Sequence, residues 1–460
     1  MTVEAPPARE GLVLAAIVGC EFMLQLDGTI VAVALPDLQA GFGLSAAALS
    51  WVINAFLLAF GGLLLLGGRL GDLLGHRAAF LAGAGLLAAA SLLAGLAPDL
   101  GWLIAGRVLQ GAGAALAGPA GLALLSVAFD GARRQRAFGT YSTVTGLAAS
   151  TGMVLGGVLV WVADWRWTLL VNVPVGLLIV ALGARVLDAS DSPPRGRALD
   201  LPGALLSVVG MTAVVYGFVR VAEAGWRDTA ALVALVAGVL VLAAFVLLES
   251  RAATPLLPLR IFAHRARAGS FVNLVLLAFV LTGFLFFTTQ FLQRTLHLNP
   301  LATGLAFLPF GLSLLVAARS SAKLLAKVGP RAAGVAGLVL VLAGTLWLAG
   351  SDGGGGYLTA VFGPMLLLGV GAGTAIVPFN VIILSDTPAA DAGITSGVLQ
   401  ASLSVGGSLG LAVLLTLFAG GASVSDGVSR AFAGGAAAAG VALVVAVLTW
   451  FLPAKARSAN

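Results

Sequence analysis

Charge is what this chain has least of. Only 10% of its 460 residues are Asp, Glu, Lys or Arg, whereas 60% are hydrophobic and the mean hydropathy is +1.06. A water-soluble globule could not cover its surface with so few polar side chains, so that class is excluded and the chain reads as a polytopic membrane protein. Cysteine is nearly absent too: Cys20 stands alone, which excludes an intrachain disulfide. The three histidines, His76, His264 and His297, fall in separate loops without Cys partners, so no metal is expected. There is no P-loop pattern, which argues against ATP as an energy source, and no cofactor is expected. The few intramembrane polar groups form no nucleophile and base set, so an enzyme is the least favoured class.

What is there is apolar helix. A span needs about 20 mostly apolar residues. Segmenting at charges, prolines and Gly-Asp clusters gives fourteen: 11–35, 49–68, 78–97, 101–127, 138–162, 167–187, 203–222, 229–248, 269–292, 303–325, 332–350, 357–381, 394–419 and 432–452. Cys20 ends a box, Ile17-Val18-Gly19-Cys20, of the kind that precedes lipidation, but with thirteen spans following, the first segment reads as a retained helix. An even count puts both termini on one side. With that side cytoplasmic, nineteen basic residues fall inside, five outside (Arg166, Arg220, Arg227, Arg294 and Arg430), and Arg107 is left in the membrane. The net charge of +6 therefore describes orientation in a bilayer, not a nucleic-acid partner. Seven of the eight tryptophans fall near the outer boundary, where amphipathic rings favour the headgroup layer, and Trp450 near the inner one.

Two longer, more polar inner loops, 188–202 and 249–268, bracket spans seven and eight. The expected organisation is an N-terminal six-helix bundle over 1–188, a central two-helix insert with its linkers over 189–268, and a C-terminal six-helix bundle over 269–460. A shift of 254 residues places Gly75-His76-Arg77-Ala78-Ala79 on Gly329-Pro330-Arg331-Ala332-Ala333. It also places Ser150, Gly152, Leu155 and Gly156 on Ser404, Gly406, Leu409 and Gly410, which suggests a repeat. At this offset Asp27 faces Leu281, Asp72 faces Ala326 and Arg107 faces Val361, so the charge chemistry belongs to the first half only.

Ionisable groups inside a bilayer are costly and mark function by default. The stretch Cys20–Pro36 places Glu21, Gln25 and Asp27 in the first span. Asp27 is about eight residues, or ~12 Å, from the expected outer end of its helix, and Arg107 about six residues, or ~9 Å, from the outer end of the fourth. Similar depth permits an ion pair; the alternative for Arg107 is snorkelling to the interface. A guanidinium at contact favours an ionised carboxylate and desolvation disfavours it, so a pair that makes and breaks with conformation changes its proton affinity. Glu21 lies about 120° from Asp27 around the helix and Gln25 about 40° from Glu21, which makes Glu21 and Gln25 one cavity-facing patch. Glu21 is either a second proton site or a contact for a cationic substrate.

The end of the second span, Gly68-Arg69-Leu70-Gly71-Asp72-Leu73-Leu74-Gly75-His76-Arg77, resembles the signature between helices two and three of the major facilitator superfamily. There Gly68, Asp72, Gly75 and Arg77 would form a conformational latch. Leu103 to Ala114, with Arg107 at its centre, resembles that superfamily's intramembrane arginine signature. Gly146 to Gly157 resembles the glycine-rich helix of its antiporters, carried by Gly152, Gly156 and Gly157; the family usually has Pro where Met153 stands, so any kink must come from the glycines. Leu26 to Pro36, Trp165-Arg166-Trp167 with Asn172-Val173-Pro174-Val175-Gly176, and Leu199 to Gly203 together resemble the fourteen-helix drug/proton antiporters.

That resemblance implies proton-driven export of a hydrophobic or cationic compound by alternating access, across the cytoplasmic membrane, by a monomer. Asp27, Arg107 and Glu21 are the proton-coupling candidates. Gln25, Asn54, Gln110, Phe287, Asn380 and Gln400 are the candidate substrate contacts; Gln110, Asn54, Asn380 and Gln400 are equally read as interhelical hydrogen bonders, and the ninth-span phenylalanines as packing or lipid-facing groups. A proton symporter or facilitator and a non-transporting membrane sensor remain as other readings.

Overall fold

The computed structural model describes residues 7–187, 200–252, 255, 257, 259–351, 356–385 and 392–451. Regular structure among these is helical throughout. The membrane helices are α1 (Pro7–Phe42), α2 (Ala46–Leu74), α3 (His76–Gly95), α4 (Leu100–Ala128), α5 (Gly131–Val162), α6 (Trp167–Val186, interrupted at Val171), α7 (Leu201–Ala224) and α8 (Thr229–Arg251). After them come α9 (Arg265–Thr295), α10 (300–328), α11 (330–349), α12 (Leu358–Leu384), α13 (Ala392–Ala419) and α14 (Val424–Trp450). Thirteen helical stretches are long and apolar enough to cross a bilayer, and α5 adds a 32-residue helix whose apolar part is Thr151–Val162. The protein is an all-α membrane protein of two six-helix bundles with an inserted central pair, α7 and α8. The bundle boundary expected at 188–189 lies outside the described residues, as do Pro193 and Pro194 of the first linker.

Polar residues set the helix starts. Ser45, Asp99, Asp200, Asp228, Asn299 and Ser423 each accept a hydrogen bond from a backbone N–H in the first turn of α2, α4, α7, α8, α10 and α14. Glycine sets two sharp turns. Gly75, with φ 86°, separates α2 from α3, and Gly329, with φ 77°, separates α10 from α11 before Pro330. The paired glycines of the 254-residue shift thus do the same work in both halves. We call the end of the bundle carrying these two turns the basic end. α1 differs from expectation: it runs through Pro36 to Phe42, because Leu38 and Gln39 are buried and Gln39 Nε2 donates to Leu44 O to close the turn beyond it.

Contacts repeat between the halves. Gly152 and Gly156 seat α5 on the carbonyls of Leu26 and Ile30 of α1, and Gly406 and Gly410 seat α13 on Val275 and Phe279 of α9. Gly83 packs on Gly113 and Ala117 as Gly337 packs on Gly371 and Ala375, and Gly111 meets Phe56 O as Gly369 meets Phe310 O. These pairs correct the uniform shift. It is 254 for α10, α11 and α13, but 249 for α9 and 258 for α12, so the counterparts of Asp27 and Arg107 are Leu276 and Met365, not Leu281 and Val361. A one-turn insertion accompanied by a π-helical segment, Leu358–Phe362, accounts for the change in α12.

The halves meet through α2 on α13 and α5 on α10, with α1 also touching α9; α7 packs on α2 and α13, and α8 lies outside it. Val236, Leu240 and Leu247 of α8 are exposed, as a lipid-facing helix requires. Five tryptophans, 102, 161, 167, 226 and 347, are about half exposed, but Trp165 and Trp450 are buried. Trp165 packs on Phe42 beneath the Arg166 guanidinium, and Trp450 donates to Ala266 O and packs on Phe379. These two serve helix packing and not the headgroup layer.

Candidate functional site

The site is built where α1, α2, α4 and α6 converge. Arg107 and Asp27 are 2% and 0% exposed, and Arg107 Nη1 donates to Asp27 Oδ2 at 2.6 Å. The pair forms although Asp27 lies fifteen residues from the end of α1 at Phe42, nearly twice the distance expected, because α1 extends beyond its neighbours. Two further bonds and a ring hold the guanidinium: Nε donates to Val52 O of α2 at 2.9 Å, Nη1 also donates to Gln110 Oε1 at 3.0 Å, and the group lies 4.5 Å from the Phe56 ring centre. Asp27 Oδ1 in turn accepts from Gln110 Nε2 at 3.0 Å and Asn172 Nδ2 at 2.7 Å. Gln110 Nε2 also donates to Ser91 Oγ of α3 at 2.7 Å. One charge-neutral network therefore ties five helices together inside the membrane, and an unpaired member would be costly. The snorkelling alternative for Arg107 does not apply in this geometry.

Glu21 sits apart. Gln25 Nε2 donates to its Oε1 at 2.8 Å and Tyr141 Oη of α5 donates to its Oε2 at 2.6 Å. Glu21 is 8% exposed and Gln25 half-buried. Two neutral donors hold this carboxylate, in contrast to the guanidinium on Asp27, so two acids on one helix have different chemistry.

The other latch candidates, Gly68, Asp72 and Arg77, surround the Gly75 turn. Asp72 Oδ1 lies 3.9 Å from His76 Nε2 within its own motif, whereas Arg77 Nη2 makes the interhelical bond, to Ala184 O near the end of α6 at 2.8 Å. The close helix approach falls on Gly67, whose added Cβ would lie 2.1 Å from Ala115 O, and not on Gly68, whose nearest neighbour is Pro119 at 3.8 Å. Helical rotation by one residue moves the tight face, which spacing alone could not resolve. Gly157 faces the other half, against Pro300 O and Gly304.

The remaining candidates scatter. Gln110 belongs to the ion-pair network. Asn54 is fully buried with neither amide atom hydrogen-bonded among the described residues, two residues from Val52 and Phe56. Phe287 is closed in between Phe286 and Phe418, and Phe271, Phe284, Phe286 and Phe291 of α9 are likewise buried, whereas Phe279 is partly exposed. Asn380 and Gln400 are half-buried on α12 and α13, away from this network. An open apolar groove of about 660 Å³ runs between α10 and α12, beside Leu312, Val316, Leu366 and Val370. Sequence reasoning missed Asn172, Ser91 and Tyr141 as partners. Asn172 had a signal, since it opens the long segment of α6 two residues before Pro174, an arrangement that leaves its side chain at a helix start.

The Major Facilitator Superfamily model matches residues 17–411. The chain belongs to that superfamily. Among its superfamily relatives are the puromycin resistance protein pur8 of Streptomyces alboniger, 40% identical over 98% of this chain and 92% of that protein, and the cephamycin export protein CmcT of Amycolatopsis lactamdurans, 38% identical over 99% and 95%. The tetracenomycin C resistance and export protein of Streptomyces glaucescens is 36% identical over 88% and 75%. Of solved superfamily structures, a peptide transporter, POT, in complex with sulfate superposes with a TM-score of 0.70 at 15% identity, over 95% of this chain and 93% of that one, which shows a shared fold.

Proposed function

We propose that this protein exports a small hydrophobic or cationic compound, an antibiotic or secondary metabolite, in exchange for protons, as a member of the fourteen-helix antiporter branch. The observation that carries the reading is the Asp27–Arg107 pair: one carboxylate and one guanidinium, fully buried at the contact of α1 and α4, with apolar counterparts in the other half. Of the two charged groups only the carboxylate has a site to accept a proton, and its protonation removes half of an ion pair that ties five helices together. Proton binding is thereby linked to helix packing, which is what antiport by alternating access requires. The resistance and export functions named for pur8 and CmcT support an antibiotic or secondary metabolite as the substrate. Glu21, with Tyr141 and Gln25, is the group for a cationic part of the substrate, being a carboxylate without a built-in cation. The basic end faces the cytoplasm, together with both termini.

The test is transport in proteoliposomes with an imposed pH gradient, using puromycin and a cephamycin as probes. Gradient-driven accumulation is expected with the wild type, and Asp27→Asn is expected to abolish it while leaving downhill flux. Accumulation that ignores the gradient would overturn proton coupling and assign the protein as a facilitator.

A further inference from the structure

We infer that Asn172 is a positioning residue that reads the protonation state of Asp27 by turning its side-chain amide over. The inference rests on Asp27 being the proton carrier. Its starting point is that the carboxylate is surrounded only by donors: Arg107 on Oδ2, Gln110 and Asn172 on Oδ1. An ionised carboxylate accepts and never donates, whereas a carboxylic acid carries an O–H that must itself find an acceptor when buried. Protonation therefore obliges one of the three neighbours to exchange a donor for an acceptor.

Two of the three cannot. The guanidinium of Arg107 has no acceptor. The amide oxygen of Gln110 is engaged by Arg107 Nη1 at 3.0 Å, and its nitrogen donates to Ser91 Oγ as well as to Asp27, so turning it over would break both of those bonds. Asn172 is free to turn. It is 0% exposed, its nitrogen is 2.7 Å from Asp27 Oδ1, and its oxygen has no hydrogen-bond partner among the described residues. A half-turn of the amide costs no bond except the one to Asp27 and presents the oxygen to the new O–H. The step is balanced simply: a hydronium ion gives its proton to Oδ1 and leaves as water, and the Asn172 N–H bond to Oδ1 is replaced by an Asp27 O–H bond to Asn172 Oδ1. Arg107 then faces an uncharged Oδ2 and keeps its bond to Val52 O.

Around Asp27 the charged and titratable groups are few. α4 contributes Arg107; α2 and α6 contribute the Val52 carbonyl and the Asn172 amide; Glu21 of α1, with Tyr141 of α5, lies six residues back along the helix, on another face. Asn172 is also the first residue of the long segment of α6, just after the interruption at Val171, so the amide reports to a helix end.

Infrared difference spectroscopy of the reconstituted protein between alkaline and acid buffer tests this. The carbonyl band of protonated Asp27 is identified by its loss in Asp27→Asn. In Asn172→Leu, which keeps the branched shape but has no polar atoms, that band should move to higher wavenumber because the acid O–H has lost its acceptor. Wild-type protein carrying 13C-labelled asparagine side chains gives a second reading independent of how the variant folds: an asparagine carbonyl band should shift downward on acidification, and the shift should vanish in Asp27→Asn. An Asp27 band with no accompanying asparagine shift overturns the role of Asn172 alone. Absence of any Asp27 band overturns the proton reading and this inference with it.

Discussion

Asp27 and Arg107 were visible in the sequence because a charge in an apolar segment has few explanations, and the pairing was testable because depth along a helix is simple arithmetic. Their partners were not visible. Asn172, Ser91 and Tyr141 are uncharged, and a neutral polar residue on a membrane helix is as readily an interhelical bond as anything else. The network makes an energetic prediction. Removing one member of a buried pair leaves an uncompensated charge and costs on the order of 3–5 kcal/mol, whereas replacing both is far milder. Arg107→Gln should therefore lower the thermal unfolding temperature in detergent substantially, and adding Asp27→Asn should restore most of the loss. Equal melting of the single and double variants would show that the two side chains are not coupled.

Helices were read with little error in number and with larger error at their ends and registers. Hydropathy marks a span but not where it stops, so the seven residues of α1 beyond 35, held by Leu38 and Gln39, were missed. A gap-free comparison likewise could not register the one-turn insertion in α12, although the Gly75 and Gly329 turns were correctly matched. Packing at the repeated glycines predicts opposite effects of one substitution. At Gly337 an added Cβ would lie 2.7 Å from Ala375 N and from Gly371 O, so Gly337→Ala should force α11 from α12 and reduce folded yield. At Gly440 of α14 nothing lies within 4 Å, and Gly440→Ala should gain up to about 1 kcal/mol from helix propensity. Size-exclusion profiles and melting curves compare the two. The turn between α7 and α8 adds a pH effect. Asp228 caps α8 through the Ala231 N–H and pairs with Arg220, and these bonds hold its carboxyl below the usual carboxylate range. Because its folded value is the lower one, the contribution is complete above the unfolded value, near 3.9, and is lost as pH falls through the folded value. Asp228→Asn should therefore lower the melting temperature most at neutral pH and flatten that acid limb of the profile.

Across the whole molecule, the two ends of the seam between bundles are closed by different means. At the end opposite the basic turns, Gln290 Nε2 donates to Gln39 Oε1 at 3.3 Å and Gln293 Nε2 donates to Val33 O at 3.0 Å, joining α9 to α1, while Gly157 and Gly304 bring α5 and α10 into backbone contact. At the basic end, the bond from Arg319 Nη2 to Thr143 Oγ1 is a long one, at 3.4 Å, between exposed groups, which contributes little. The proposed alternating-access cycle would require the glutamine contacts to break in each turnover, because α1 and α9 belong to different bundles. Pinning them together should then arrest transport. Two glutamines meeting tip to tip hold their backbones too far apart for a disulfide, so a short bis-thiosulfonate bridging reagent is the suitable pin. In a Cys20→Ser background, Gln39→Cys with Gln290→Cys treated with that reagent should lose gradient-driven accumulation and regain it on reduction, while either cysteine alone should be unaffected. Unchanged transport by the bridged protein would mean that the bundles do not separate at this end.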